Sequence, residues 1–177
     1  KSPQQVYDRF EMDAAHAASI GQVHRAWKGD QPLAVKIQYP GVADSVISDL
    51  KLVRPIARRM FGWKDQDLDQ YFEEVQDRLV EETDYDLELR RSREISEACA
   101  HLPNLHFSNY YPEMSAARII TMDWLEGQHL DAWLATNPDQ ETRNRAGQAL
   151  WDFYNYQVHV LKRMHADAHP GNFLFKP

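Results

Sequence analysis

Pro32 to Pro40 reads PLAVKIQYP, and its apolar residues alternate. Leu33, Val35 and Ile37 fall on one side, with Ala34 and Lys36 on the other. That is the period of a strand with one buried face. Before it stand the turn signal Lys28-Gly29-Asp30 and the small-residue stretch Ala14 to Trp27 (AAHAASIGQVHRAW), which becomes strand-like towards its end. Together these segments predict an antiparallel hairpin. The period then changes. From Val42 to Met60 the spacing of Val46, Ile47, Leu50 and Val53 is helical, with Pro55 predicted to kink or break the helix. From about Asp67 to Ala100 runs a long helical pattern with a stripe of Leu68, Phe72, Val75 and Leu79. Strand-like pieces follow at Leu105–Phe107 and Ala117–Leu125, then helices over His129–Ala135 and Glu141–Met164, then a turn and a closing strand. Strands first and helices later predict an α+β fold in two lobes.

Composition narrows the function. The chain has 177 residues, 43% of them hydrophobic, enough for one sizeable core or for a domain with a poorly separated second lobe. A net charge of −7 argues against nucleic acid as the main partner. The run Arg54 to Arg59 (RPIARR) is the one local basic patch, and a solvated helix face accounts for it. Cys99 is the single cysteine, so there is no disulfide framework and no thiolate metal site. No apolar run reaches the roughly 18 residues that span a bilayer, and no signal peptide is present. The chain does not start with Met and stops within a strand-like run, so it reads as a fragment at both ends.

Four places carry polar chemistry. Lys36 sits inside an apolar strand, where an ammonium must either reach water or meet an anion. As a functional residue it pairs phosphates and is itself held by a helix carboxylate. The acidic stretch Val80 to Glu88 (VEETDYDLE) supplies candidates. At about 100° per residue, Glu82 falls within the stripe of Phe72, Val75 and Leu79 if the helix is unbroken. Asp84 and Glu88 lie on another face. A solvated acidic helix is the bland alternative, and Glu82 fits that alternative worst.

The loop HAASIGQV (His16 to Val23) precedes Lys36. Aligned on Val23, the glycine slots of the phosphate-loop pattern G-x-G-x-x-G-x-V fall on His16, Ala18 and Gly21, and only the last is glycine. A small-residue loop packed under a helix would look the same. Finally, MHADAHPGNFLF (Met164 to Phe175) places Asp167 and Asn172 five residues apart, with His165 two before the Asp. Kinase catalytic loops, H-R-D-L-x-x-x-N, use that spacing for a catalytic Asp and a magnesium-binding Asn. The rival reading makes His165, Asp167 and His169 a zinc site. The segment ARIITMDWLEG resembles the connector between kinase lobes: Met122 lines the back of an adenine pocket, and the Asp123 carbonyl and the Leu125 N–H face the base.

In order and separation these pieces resemble the UbiB/AarF (ADCK-like) family of atypical protein-kinase-like proteins. The matching segments are AASIGQVHRA, LAVKIQYPGV, EETDY with Glu88 beyond, ITMDWLEG and HADAHPGNFL. The resemblance implies a bilobal protein-kinase-like fold: residues 1–122 as a β-rich N-lobe with long helices, 123–127 as the hinge, and 128–177 as a partial, mainly helical C-lobe. It implies an atypical kinase or ATPase that binds ATP or ADP with Mg²⁺ and supports ubiquinone or isoprenoid-lipid metabolism. Catalytic roles fall on Asp167, Lys36 and Glu82 or Glu88. Nucleotide contacts fall on Ala17, Ala18, Ser19, Gly21, Val23, Lys36, Met122, Asp123 and Leu125, and the metal on Asn172. In this family an alanine-rich loop, here Ala17, Ala18 and Ser19, biases nucleotide preference. Glu82 and Asp84 match its E-x-D motif. Its K-x-G-Q segment is expected before this stretch. Its D-F-G-type segment, with the main Mg²⁺ ligand, is expected after Phe175, so the fragment alone is expected to be inactive. Ala168 replaces the proline of the usual HADPHPGN. The partners implied are a nucleotide and a lipid or isoprenoid-quinone precursor, without nucleic acid. The implied location is cytoplasmic, with peripheral contact to the inner membrane through parts outside this stretch. Two alternatives stand beside this: a small-molecule kinase of the aminoglycoside/choline kinase type, and a nucleotide-binding pseudokinase scaffold.

Overall fold

A computed structural model describes residues 2–61, 65–164 and 169–176. The chain divides into two compact units, residues 1–91 with 110–123, and residues 92–109 with 124–177.

The first unit is built on an antiparallel sheet of five strands: β1 (Arg9–Phe10), β2 (His16–Ala18), β3 (Gly21–Lys28), β4 (Gln31–Gln38) and β5 (Ile119–Asp123). Their order is β1-β3-β4-β5, with β2 also on β3. The predicted hairpin is β3–β4, in register from Gly21↔Gln38 to Lys28↔Gln31. Gly29 closes it at φ +58, a left-handed position that a residue without Cβ adopts freely. Alternation along β4 sorts its side chains. Leu33 and Val35 are buried against Tyr7 and Ala26, and Ile37 packs on that cluster. Fully burying a side chain such as Leu33 contributes about 2 kcal/mol. The opposite sheet face is covered by Tyr85, Leu89 and Ile120, with Ile20 and Tyr110 packed on them.

Helices α1 (Val42–Phe61) and α2 (Asp65–Glu82) form a hairpin, and α3 (Tyr85–Cys99) lies on the sheet. Pro55 sits inside α1, which runs through it as one helix, so Pro55 does not break it. Two sequence expectations change here. The segment Leu105–Phe107 is not a strand. The long helical pattern from Asp67 to Ala100 is two helices, because the backbone breaks at Thr83 and Asp84. The Asp84 carboxylate accepts the N–H of Leu87 at 2.9 Å, which makes Asp84 the N-cap of α3. A short acid that satisfies an orphan donor starts a new helix rather than continuing the old one.

The second unit holds α4 (Leu130–Ala135) and α5 (Gln140–Tyr156), whose N-cap Asp139 accepts from the Thr142 N–H at 2.7 Å. Beyond Tyr156 the helix widens into a π turn, Gln157–Leu161, and stops at Lys162 with φ 54. Trp133 stacks on Phe175 at 5.0 Å, and Phe107 meets Phe153 at 5.7 Å. The architecture is α+β.

Candidate functional site

The chemistry in the first unit gathers on one sheet face. Cross-strand partners share a face, and Lys36 lies opposite Val23 on β3 and Ile120 on β5. Ala34 is opposite Met122. Val23, Lys36 and Met122 therefore occupy the same side, the side that α3 covers.

Lys36 Nζ donates to both oxygens of the Glu88 carboxylate, at 2.7 and 2.8 Å. The same ammonium lies 4.7 Å from the centroid of the Tyr85 ring, a cation–π contact. Tyr85 and Glu88 are three residues apart on α3 and so project on one helix face. The Lys36 side chain is 21% exposed and that of Glu88 39%. With Glu88 that open to water, the pair contributes about 1 kcal/mol or less to stability. Its importance is positional. Two of the ammonium's N–H groups go to Glu88, and among the described residues no acceptor takes the third.

A second tie fixes α3 to the strand. Gln38, two residues beyond Lys36 on the same face, donates from Nε2 to the Thr83 carbonyl at 2.9 Å. The helix break and the strand lysine are thus held in one frame. Sequence reading overlooked Gln38 and Tyr85. The signals were the two-residue period from Lys36 and the three-residue step back from Glu88.

The acids of VEETDYDLE divide their work. Glu81 pairs with Arg91, and with Arg78 at 3.3 Å. Asp84 caps α3. Glu88 takes the lysine. Glu82 ends α2 and is exposed. Glu82 lies on α2 with Phe72, Val75 and Leu79, but Leu79 beside it is itself exposed, and the Thr83–Asp84 break sets a new helix phase in which Glu88 meets the lysine. Glu82 and Glu88 still act on Tyr85. Burial first, then these two negative charges, push its phenol up to about 12.

The β2–β3 turn lies beside this pair. Ala17 and Ala18 on β2 pair with Gln22 and Gly21, and Ser19 and Ile20 make the turn between the strands. A Cβ at Gly21 would stand 2.3 Å from the Ile37 carbonyl oxygen and 3.0 Å from the Tyr85 hydroxyl, so this position requires glycine by close approach. The Tyr85 side chain is 1% exposed, and among the described residues its hydroxyl has no hydrogen-bond partner. Asp123 ends β5, where its carboxylate accepts from Tyr111 Oη at 2.6 Å and from Gln31 Nε2 at 2.9 Å.

The remaining candidates belong to the second unit. Leu125 is half-buried just after the unit boundary. Pro170–Asn172 is a single 3₁₀ turn in which His169 Nδ1 accepts the Gly171 N–H at 3.0 Å and the Asn172 N–H donates to the His169 carbonyl. Asn172 is exposed. His165 and Asp167 lie outside the described residues, so both the catalytic-loop reading and the zinc alternative rest there on sequence. Among the described residues no cluster of His, Cys, Asp or Glu forms a metal site. No helix among them is long and apolar enough to cross a membrane.

Known proteins resemble this chain in sequence and fold. The ABC1 atypical kinase-like domain matches residues 1–177. The atypical kinase COQ8B, mitochondrial, of Danio rerio is 32% identical over 90% of the chain and 26% of its own length. The atypical kinase COQ8, mitochondrial, of Saccharomyces cerevisiae is 30% identical over 96% of the chain and 34% of its own length. A Mycobacterium tuberculosis protein, Rv3197, solved in complex with erythromycin, is similar in structure with a TM-score of 0.73 and 33% identity, over 98% of this chain and 44% of that one. The chain spans about a quarter to a third of the length of these curated relatives.

Proposed function

Because the chain belongs to the ABC1 atypical kinase-like family, we propose that it carries the nucleotide-binding half of an atypical kinase or ATPase site, taking ATP or ADP with Mg²⁺. One observation supports this most: a strand lysine anchored through both oxygens of a helix carboxylate. Glu88 and the Tyr85 ring fix the ammonium's position, and its remaining N–H, which has no acceptor among the described residues, takes a phosphate oxygen. The β2–β3 turn, with Ala17, Ala18, Ser19 and the tightly packed Gly21, covers the phosphates. Met122, Asp123 and Leu125 serve the base. Asp167 orients the attacking oxygen and Asn172 contributes an oxygen to Mg²⁺, a hard cation that prefers such ligands.

The substrate class proposed is a lipid or isoprenoid-quinone precursor, in support of ubiquinone or related lipid synthesis, by a cytoplasmic protein at the inner membrane. The 177-residue chain alone is expected to bind nucleotide without turning it over.

Thermal shift tests the reading. ADP with Mg²⁺ raises the melting temperature as mass action requires, and Lys36→Ala abolishes the rise. A shift that survives Lys36→Ala would overturn the assignment of the site.

A further inference from the structure

The hydroxyl of Tyr85 has a place in the fold that packing does not explain. The residue is 1% exposed, and among the described residues its Oη has no hydrogen-bond partner. A buried hydroxyl left unpaired costs free energy that phenylalanine at the same position would avoid. The ring is accounted for by its cation–π contact with Lys36 and its packing with Leu89 and Ile120. The oxygen is not.

Its neighbours locate that oxygen. The Lys36 ammonium lies 4.7 Å from the ring centroid, with two of its N–H groups on Glu88. On the other side, a Cβ at Gly21 would stand 3.0 Å from Oη, so the hydroxyl lies close under the start of β3. Ile20, in the turn before it, packs on the same cluster. The hydroxyl thus lies near both the strand lysine and the β2–β3 turn. Burial first, then the charges of Glu88 and Glu82, push the phenol up to about 12. It therefore keeps its proton at neutral pH and remains a donor. A donor without an acceptor, close to a cation with one N–H to spare, suits an oxyanion with several acceptor oxygens.

We propose that the Tyr85 hydroxyl is a further phosphate-binding group of this site, donating to an oxygen of the same diphosphate that Lys36 holds. This rests on the nucleotide reading of the site. Phosphate entry requires the half-buried Ile20 side chain to swing aside. The Ile20 backbone stays in place as it does so, because its carbonyl accepts the Tyr39 N–H at 3.0 Å.

The test is isothermal titration of the 177-residue chain with ADP and Mg²⁺, and separately with adenosine, which lacks phosphates. Tyr85→Phe keeps the ring over Lys36 and removes only the hydroxyl. It is expected to weaken ADP about tenfold or more. Adenosine affinity is expected to stay the same, and the melting temperature without ligand to stay the same or rise. Undiminished ADP binding by Tyr85→Phe would overturn the proposal and leave the nucleotide reading standing. Equal losses for ADP and adenosine would also overturn it, since the hydroxyl would then act by shaping the site. Failure of the unsubstituted chain to bind ADP would overturn both together.

Discussion

Lys36 on β4 and Glu88 on α3, 52 residues apart in sequence, are joined by two hydrogen bonds of 2.7 and 2.8 Å. The link sets the distance between a strand and a helix that no covalent neighbour constrains.

Glu88→Gln keeps the shape of the side chain and removes its charge. We expect nucleotide affinity to fall about tenfold, as the lysine loses its anchor, with less than about 1 kcal/mol lost in stability. Glu82→Gln, at the exposed end of α2, is expected to leave affinity unchanged. Isothermal titration with ADP and Mg²⁺ checks both. Equal losses from the two variants would mean that Lys36 is not specifically anchored by Glu88.

Asp84→Ala removes the N-cap of α3. The cost expected is about 1 kcal/mol in urea denaturation. Affinity should also fall, because the first turn of α3 carries Tyr85 and Glu88. Asp84→Asn, which can still accept the Leu87 N–H, is expected to restore most of both.

Gly21→Ala places a methyl group against the Ile37 carbonyl, at a distance no relaxed Cβ occupies. The turn must shift, and we expect a loss of about 1–3 kcal/mol. Chemical denaturation reads this directly. A neutral result would show that the β2–β3 turn moves freely.

Tyr85 gives a pH signature. Its folded phenol titrates at about 12, above the unfolded value of 10.0. Above pH 10 the unfolded chain releases this proton while the folded chain retains it. The stability contribution is therefore complete below pH 10 and is lost as pH rises towards 12. Tyr85→Phe removes this dependence, so its melting temperature should decline less than that of the unsubstituted protein over the same window. At neutral pH the substitution is expected to be neutral or stabilising, since it removes a buried hydroxyl that has no partner among the described residues.

Much of the fold could be read from local pattern. The two-residue period of PLAVKIQYP sorted Leu33 and Val35 from Lys36, and the turn at Gly29 joined the hairpin as predicted. The same alternation marked Lys36 as a residue in need of an anion. Strand period and turn chemistry are properties of neighbouring residues, so the sequence determines them by itself. The choice between Glu82 and Glu88 was different. It depended on whether one helix or two ran from Asp67 to Ala100, and hydrophobic spacing continues across such a break without registering it. Asp84 capped a new helix, Gln38 tied the Thr83 carbonyl to β4, and Tyr85 filled the gap beneath Gly21. The Asp84 cap is local, but the other two are long-range contacts. A change of one helical phase redirects every side chain beyond it, and only packing against the sheet fixed which carboxylate reached the lysine.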